Sequence, residues 1–149
     1  MSTAEHYVSL RHATLIDAAE IGRLLTQLGH ATTTVQVIER WPQWEADGNC
    51  ALVASSDATT LIGLCMLHQT RALHRPKPIG RITALVVEEN HRGDGIGRML
   101  VAAAEDFFVR AGCGLLEVTS NLKRADAHAF YEALGYDKSS YRFVREIAK

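Results

Sequence analysis

No charge of one sign prevails along this chain: 16 Lys and Arg stand against 17 Asp and Glu, for a net charge of -1. A global electrostatic footprint for nucleic acid or for an anionic membrane is therefore missing. No apolar run approaches the roughly 18 residues that cross a bilayer, and the opening "MSTAEHYVSLRHAT" lacks a basic-then-apolar signal pattern. A cytoplasmic protein with neither nucleic acid nor membrane as partner is the expectation. Cysteine is scarce too. Cys50, Cys65 and Cys113 are odd in number, widely spaced and set among apolar neighbours, which suggests neither a disulfide framework nor a zinc spacing. We expect no metal, and read the three thiols as small buried hydrophobes rather than reactive groups. Repeats, low-complexity tracts and an interdomain linker are absent from the 149 residues. That length suits one ordinary domain, able to bury on the order of two-thirds of its unfolded surface, so a single domain over residues 1–149 is expected.

What the chain does carry is periodicity. "HYVSLRHA" alternates as a strand does, and Thr14 then stands as cap before "LIDAAEIGRLLTQLG", a helical pattern closed by Gly29. "TTTVQVIERWPQWEADG" reads as a second helix capped by Thr33 or Thr34 and broken or kinked near Pro42. "CALVASS" and "TLIGLCMLHQT" form a hairpin pattern, and "RALHRPKPIG" is an exposed loop with Arg71, His74, Arg75 and Lys77. "RITALVV" is too apolar for a half-solvated edge, hence a central strand. The next helix sets Ile96, Met99, Leu100, Ala103 and Phe107 on one face. "LLEVTSN" is a strand, "ADAHAFYEALG" a helix closed by Gly135, and "SSYRFVREI" a closing strand. The order predicts an α/β fold, a mixed sheet with about four helices on its faces.

Between the central strand and its helix stand three glycines at every second position, Gly93, Gly95 and Gly97, in "HRGDGIGR". A helix N-terminus has unpaired N–H donors and a partial positive charge, and glycine lets an anion reach them without meeting a β-carbon. With Arg92 and Arg98 alongside, the stretch predicts a phosphate site. Spacing separates the known phosphate loops. A P-loop needs a Gly-Lys pair, which is absent, and a dinucleotide fingerprint would need glycine where Arg98 stands.

The run "ITALVVEENHRGDGIGRML" resembles the coenzyme A signature of GNAT-superfamily N-acetyltransferases, and "SNLKRADAHAFYEALGY" resembles the motif that follows it in that family. The resemblance implies a GNAT-like acyltransferase domain with acetyl-CoA as co-substrate. It implies that the backbone of Arg92, Gly93, Asp94, Gly95, Ile96, Gly97 and Arg98 holds the coenzyme's pyrophosphate, and that Leu85, Val86 and Val87 pair their backbone with the pantetheine arm. Asn121 matches a pantetheine-contacting residue, or is a helix cap. Tyr131 matches the tyrosine that acts as general acid on the leaving thiolate; outside the motif it would read as core. The acceptor would be a primary amine of a small molecule or peptide, lined by the first two helices and the basic loop, and a homodimer is implied by resemblance alone.

One feature departs from the family. Many relatives carry a glutamate in the strand before the glycine loop, where this chain has Thr83 and Ala84. Glu88, His128, His30 or a water chain are the remaining routes for the amine's proton. The departure keeps a second reading open, a coenzyme A-binding sensor of the same fold without catalysis. ATP binding at the same helix terminus is disfavoured, because the pieces for Mg²⁺ and a γ-phosphate are absent.

Overall fold

Three antiparallel pairings and one parallel pairing build the sheet. The computed structural model describes residues 7–120 and 123–148. In it β1 (Ser9–His12), β2 (Asn49–Ser55), β3 (Leu61–Thr70), β4 (Ile79–Val87) and β5 (Leu115–Val118) lie side by side in chain order. β1 with β2, β2 with β3 and β3 with β4 are antiparallel. The sense changes at β5: the Gly114 N–H donates to the Pro78 carbonyl at 2.9 Å, and three residues on in each strand Arg81 faces Glu117 at 3.7 Å. Both strands therefore advance together, joined by the crossover helix α3 (Ile96–Arg110), as a parallel pair requires. The result is the predicted mixed sheet, with "RITALVV" in its interior. The chain divides into two compact units, Met1–Glu117 and Val118–Lys149.

In the first unit, α1 (Ala18–Leu28) and α2 (Thr34–Ala46) cover one face of the sheet. Ile21, Leu24, Val37 and Trp41 join Val53, Leu64 and Val86 in one buried cluster. Gly29 ends α1 at φ +111°, with the His30 N–H on the Leu25 carbonyl. Thr33 and Gln36 exchange side-chain and backbone bonds at 3.0 and 3.1 Å to start α2, which continues through Pro42. Thr14 stands before a 3-10 turn (Leu15–Asp17) instead of directly before α1. Its N–H donates to Asp17, which also receives two bonds of 2.8 Å from the Arg11 guanidinium.

That arrangement has a pH signature. The Arg11 hydrogen bond, outweighing burial, holds the Asp17 carboxyl below its ordinary value. Stability from this group is thus complete above the unfolded carboxylate pKa, about 4, and is lost as pH falls through the lower folded value. Arg11 is 43% exposed, which screens the pair. Asp17→Ala is expected to cost about 1–2 kcal/mol at pH 7. Urea melts should show the gap to wild type closing below pH 4, and a gap constant down to pH 2 would refute the assignment.

The other face takes α3. Side chains at Gly63 and Gly80 would stand 2.8 Å from Leu100 and 2.5 Å from the Phe108 ring, so bare backbone is what lets the helix settle. The buried side of α3 is Ile96, Leu100, Val101, Ala104 and Phe108, which corrects the expected stripe: Met99 is 39% exposed, and Ala103 and Phe107 are only half-buried. The helix is apolar at too many positions for periodicity to choose a face, and the glycine gaps under Leu100 and Phe108 decide it. Gly80→Ala drives a β-carbon into Phe108 and should destabilise by about 3 kcal/mol, lowering Tm by roughly 10 °C. An unchanged melting curve would mean that α3 yields freely.

In the second unit, α4 (Ala125–Ala133) is followed by Leu134 and by Gly135 at φ +92°. The expected closing strand over residues 139–147 does not form: no strand is assigned over residues 136–148. Tyr141, Phe143, Val144 and Ile147 are 71–92% exposed there. Alternation is necessary for a strand, but a ladder also needs a partner, and among the described residues none is paired with it.

Candidate active site

The site is built from the second half of β4 and the loop that follows. Met66 pairs with Ala84 and Leu67 with Ile82, so Thr83 is the extra residue of a β-bulge, its hydroxyl donating to the Met66 carbonyl at 3.3 Å. Beyond the bulge the two neighbours of β4 fare differently. β3 stays paired through Val87, whereas β5 reaches Arg81 with Glu117 and ends one residue later. Leu85, Val86 and Val87 thus lie past the β5 ladder. Val86 is buried toward α1 and α2, while Leu85 and Val87 are half-buried on the opposite face.

After β4 the chain makes a 3-10 turn (Glu89–His91), extends at Arg92, and enters the glycines. Gly93 and Gly95 hold φ of +86° and +82°, the left-handed region that L side chains rarely adopt. No protein atom lies within 4 Å of where either β-carbon would stand. Glycine is needed here for backbone conformation, and the space above it is open. Gly95 is the N-cap of α3 and supplies no side-chain acceptor. The Met99 N–H is bonded to the Gly95 carbonyl at 3.1 Å; the N–H groups of Ile96, Gly97 and Arg98 precede it, in the turn where a helix offers no internal acceptor. Arg98 is exposed beside them. Arg92, also exposed, folds back so that its Nε donates to the Val87 carbonyl at 3.3 Å, tying the loop to the end of β4. The Asp94 carboxylate lies 3.8 Å from the His91 Nδ1. Uncapped donors, a positive helix end, two arginines and open backbone suit a diphosphate.

The remaining candidates fare unequally. Asn121 lies outside the described residues. Tyr131 belongs to the second unit, half-buried on α4, its ring edge-on to Phe130 at 5.2 Å and to Tyr136 at 6.0 Å. His30 is exposed and His128 half-buried. Glu88 is not simply solvated: its carboxylate accepts from the Asn90 N–H at 2.7 Å and from Gln27 at 3.5 Å, with Arg23 at 3.8 Å. Nothing local in the sequence announces that network, whose members lie about sixty residues apart. Trp41 is buried and Trp44 packs on it at 4.8 Å, so both serve the core.

Burial pushes the Cys65 thiol up to about 12 and raises the half-buried Cys50 and Cys113 as well, which disfavours the thiolate at each. Among the described residues no cluster of His, Cys, Asp or Glu could hold a metal ion, and no helix is long and apolar enough to cross a membrane. A cleft of about 510 Å³ opens between α1 and the start of α2, lined by Gly22, Arg23, Thr26, Gln27, Thr32 and Thr34. Arg71, His74, Arg75 and Lys77 are exposed on the β3–β4 loop.

Residues 19–136 match the Acetyltransferase (GNAT) family. An aminoalkylphosphonate N-acetyltransferase of Salmonella typhimurium is 34% identical over 139 residues, covering 93% of this chain and 90% of its own length. An aminoglycoside N(6')-acetyltransferase type 1 of Stenotrophomonas maltophilia is 28% identical over 88% of this chain and 87% of its own. In three dimensions the chain is similar to a transcriptional regulator of Bacillus halodurans, with a TM-score of 0.86 at 24% identity over 95% of this chain and 100% of that one. It is similar also to an acetyltransferase of Trypanosoma brucei, with a TM-score of 0.84 at 21% identity over the same shares. Likeness at those identities speaks for the fold, and the match over most of the sequence speaks for more: this chain belongs to the acetyltransferase (GNAT) family.

Proposed function

We propose that the protein transfers an acetyl group from acetyl-CoA to a primary amine of a small molecule or peptide, by direct attack in a complex that holds both. The observation that carries the reading is the uncapped start of α3 behind two left-handed glycines, at the end of a strand that outruns its neighbour. The N–H groups of Ile96, Gly97 and Arg98, with the backbone of Arg92, Gly93, Asp94 and Gly95, hold the diphosphate. Leu85, Val86 and Val87 align the pantetheine arm as an added strand, and Asn121 contacts it. The coenzyme supplies an acetyl thioester. Tyr131 gives its proton to the departing thiolate as the new C–N bond replaces C–S. An alkylammonium of pKa about 10 must first lose a proton; with Thr83 and Ala84 on the strand and Glu88 engaged, water is the route.

For the acceptor we infer a small amine that bears an anionic group, as an aminoalkylphosphonate does. The relative named for such a substrate is the more similar of the two, and exposed Arg71, His74, Arg75 and Lys77 offer cations. A cytoplasmic location and a homodimer complete the reading, the dimer on resemblance alone. Calorimetry with acetyl-CoA should give a saturable isotherm, and thiol release over an amine panel should favour aminoalkylphosphonates over aminoglycosides. No heat with either acetylated or free coenzyme would end the proposal. The missing strand carboxylate favours one rival, a sensor that binds coenzyme and turns nothing over.

A further inference from the structure

A polar row runs along α1, and it ends on the coenzyme loop. Glu20 accepts the Leu61 N–H at 3.0 Å and pairs with Arg23 at 2.7 Å; Arg23 also donates to the Leu61 carbonyl at 2.8 Å. One turn further on, the Gln27 amide meets two consecutive residues of the loop. Its Nε2 donates to the Glu88 carboxylate at 3.5 Å, and its Oε1 accepts the Glu89 N–H at 3.2 Å. Glu88 in turn accepts the Asn90 N–H, while its own N–H continues the sheet ladder to the Ile62 carbonyl at 2.8 Å.

From these bonds we infer that Gln27 and Glu88 are positioning residues that set the coenzyme loop, an inference that rests on the proposed function. Glu89, Asn90 and residues 92–95 are exposed, so packing does little to hold the segment between Glu88 and the buried Ile96. The donors of the first turn of α3 must nonetheless stand within a few tenths of an ångström of where a diphosphate settles. Gln27 brings a hold from another element, fixing the loop's first peptide by both ends of one planar amide. Glu88 is itself only 14% exposed, with one oxygen committed to Asn90, the other to Gln27, and its charge facing Arg23. A carboxylate so engaged orients its neighbours and is poorly placed to collect the acceptor's proton, which assigns Glu88 to the loop and not to the chemistry.

The test uses the full chain with Gln27→Met, which keeps side-chain length and helix propensity on α1, and with Glu88→Gln. Each variant should raise the Kd for acetyl-CoA by calorimetry, and the coenzyme KM, about tenfold, the scale of one or two net hydrogen bonds. With the best amine of the panel, kcat at saturating coenzyme and the acceptor KM should stay within about twofold, and the pH profile should keep its shape. The double variant should be no worse than the poorer single, since the two residues form one clamp. Wild-type coenzyme affinity in both folded variants would overturn the clamp alone. A collapse of kcat in Glu88→Gln with unchanged coenzyme Kd would overturn it differently, by making Glu88 the proton acceptor. Should Glu88→Gln melt early, Gln27→Met at its half-buried position decides by itself. A wild-type protein that binds no coenzyme would instead bring down the proposed function beneath the clamp.

Discussion

Gly95→Asn is expected to raise the Kd for acetyl-CoA by about a hundredfold while the protein melts close to wild type. The two halves of that statement have separate causes. At φ +82° and ψ 7° most L residues are strained by roughly 1–2 kcal/mol, but asparagine visits the left-handed region more readily than most. A β-carbon at this position meets no protein atom within 4 Å, so the fold has room for it. On the proposed function, the room it fills is the approach to the N–H groups of Ile96, Gly97 and Arg98. A ligand displaced there loses charge-assisted bonds worth about 1.5–3 kcal/mol each, and losing one or two gives the stated factor. Gly95→Val adds the strain of a β-branched residue and should lose affinity and stability together. Calorimetry paired with thermal melts separates the cases. If Gly95→Asn bound coenzyme as wild type does, the diphosphate would lie elsewhere, and the three glycines would be only a strand-to-helix turn.

That loop was also the most legible part of the chain, for a physical reason. A left-handed N-cap, an apolar strand before it and an amphipathic helix behind it are all local demands, so each leaves a residue type at a fixed offset. The β2–β3 hairpin and the glycine stops of α1 and α4 were readable on the same grounds. Where several local answers were equally good, the outcome depended on residues far away. Both Phe107 and Phe108 could have turned inward, and Gly80 opposite Phe108 chose between them. Tyr141, Phe143 and Ile147 alternate as a strand does, yet alternation says nothing about a partner. Glu88 could be named only as a route for the proton, because Gln27 and Arg23 approach it from a helix some sixty residues earlier. Among site residues, those defined by backbone conformation could be found from local pattern, whereas Tyr131 needed a family resemblance. On α4 it is one aromatic between two others.

Tyr131→Phe isolates the hydroxyl on which the proposed chemistry turns. The rings of Phe130 and Tyr136 stand edge-on to the Tyr131 ring at 5.2 and 6.0 Å, a packing that phenylalanine can keep, and a thermal melt of the variant checks that the fold survives the loss of the hydroxyl. What disappears is the phenolic O–H proposed to protonate the leaving thiolate. Without that donor the thiolate must depart unprotonated or take its proton from water, and general-acid catalysis of this kind contributes about 10²–10⁴-fold. Thiol release should therefore drop by at least about a hundredfold in kcat, with coenzyme Kd within twofold, because the loss is confined to the transition state. Equal turnover in both proteins would dismiss Tyr131 as the acid and leave it a packing residue of α4. No turnover in either, with coenzyme still bound, would select the sensor. The comparison thus separates a missing proton donor from a missing reaction, which the absence of a carboxylate at Thr83 and Ala84 cannot do.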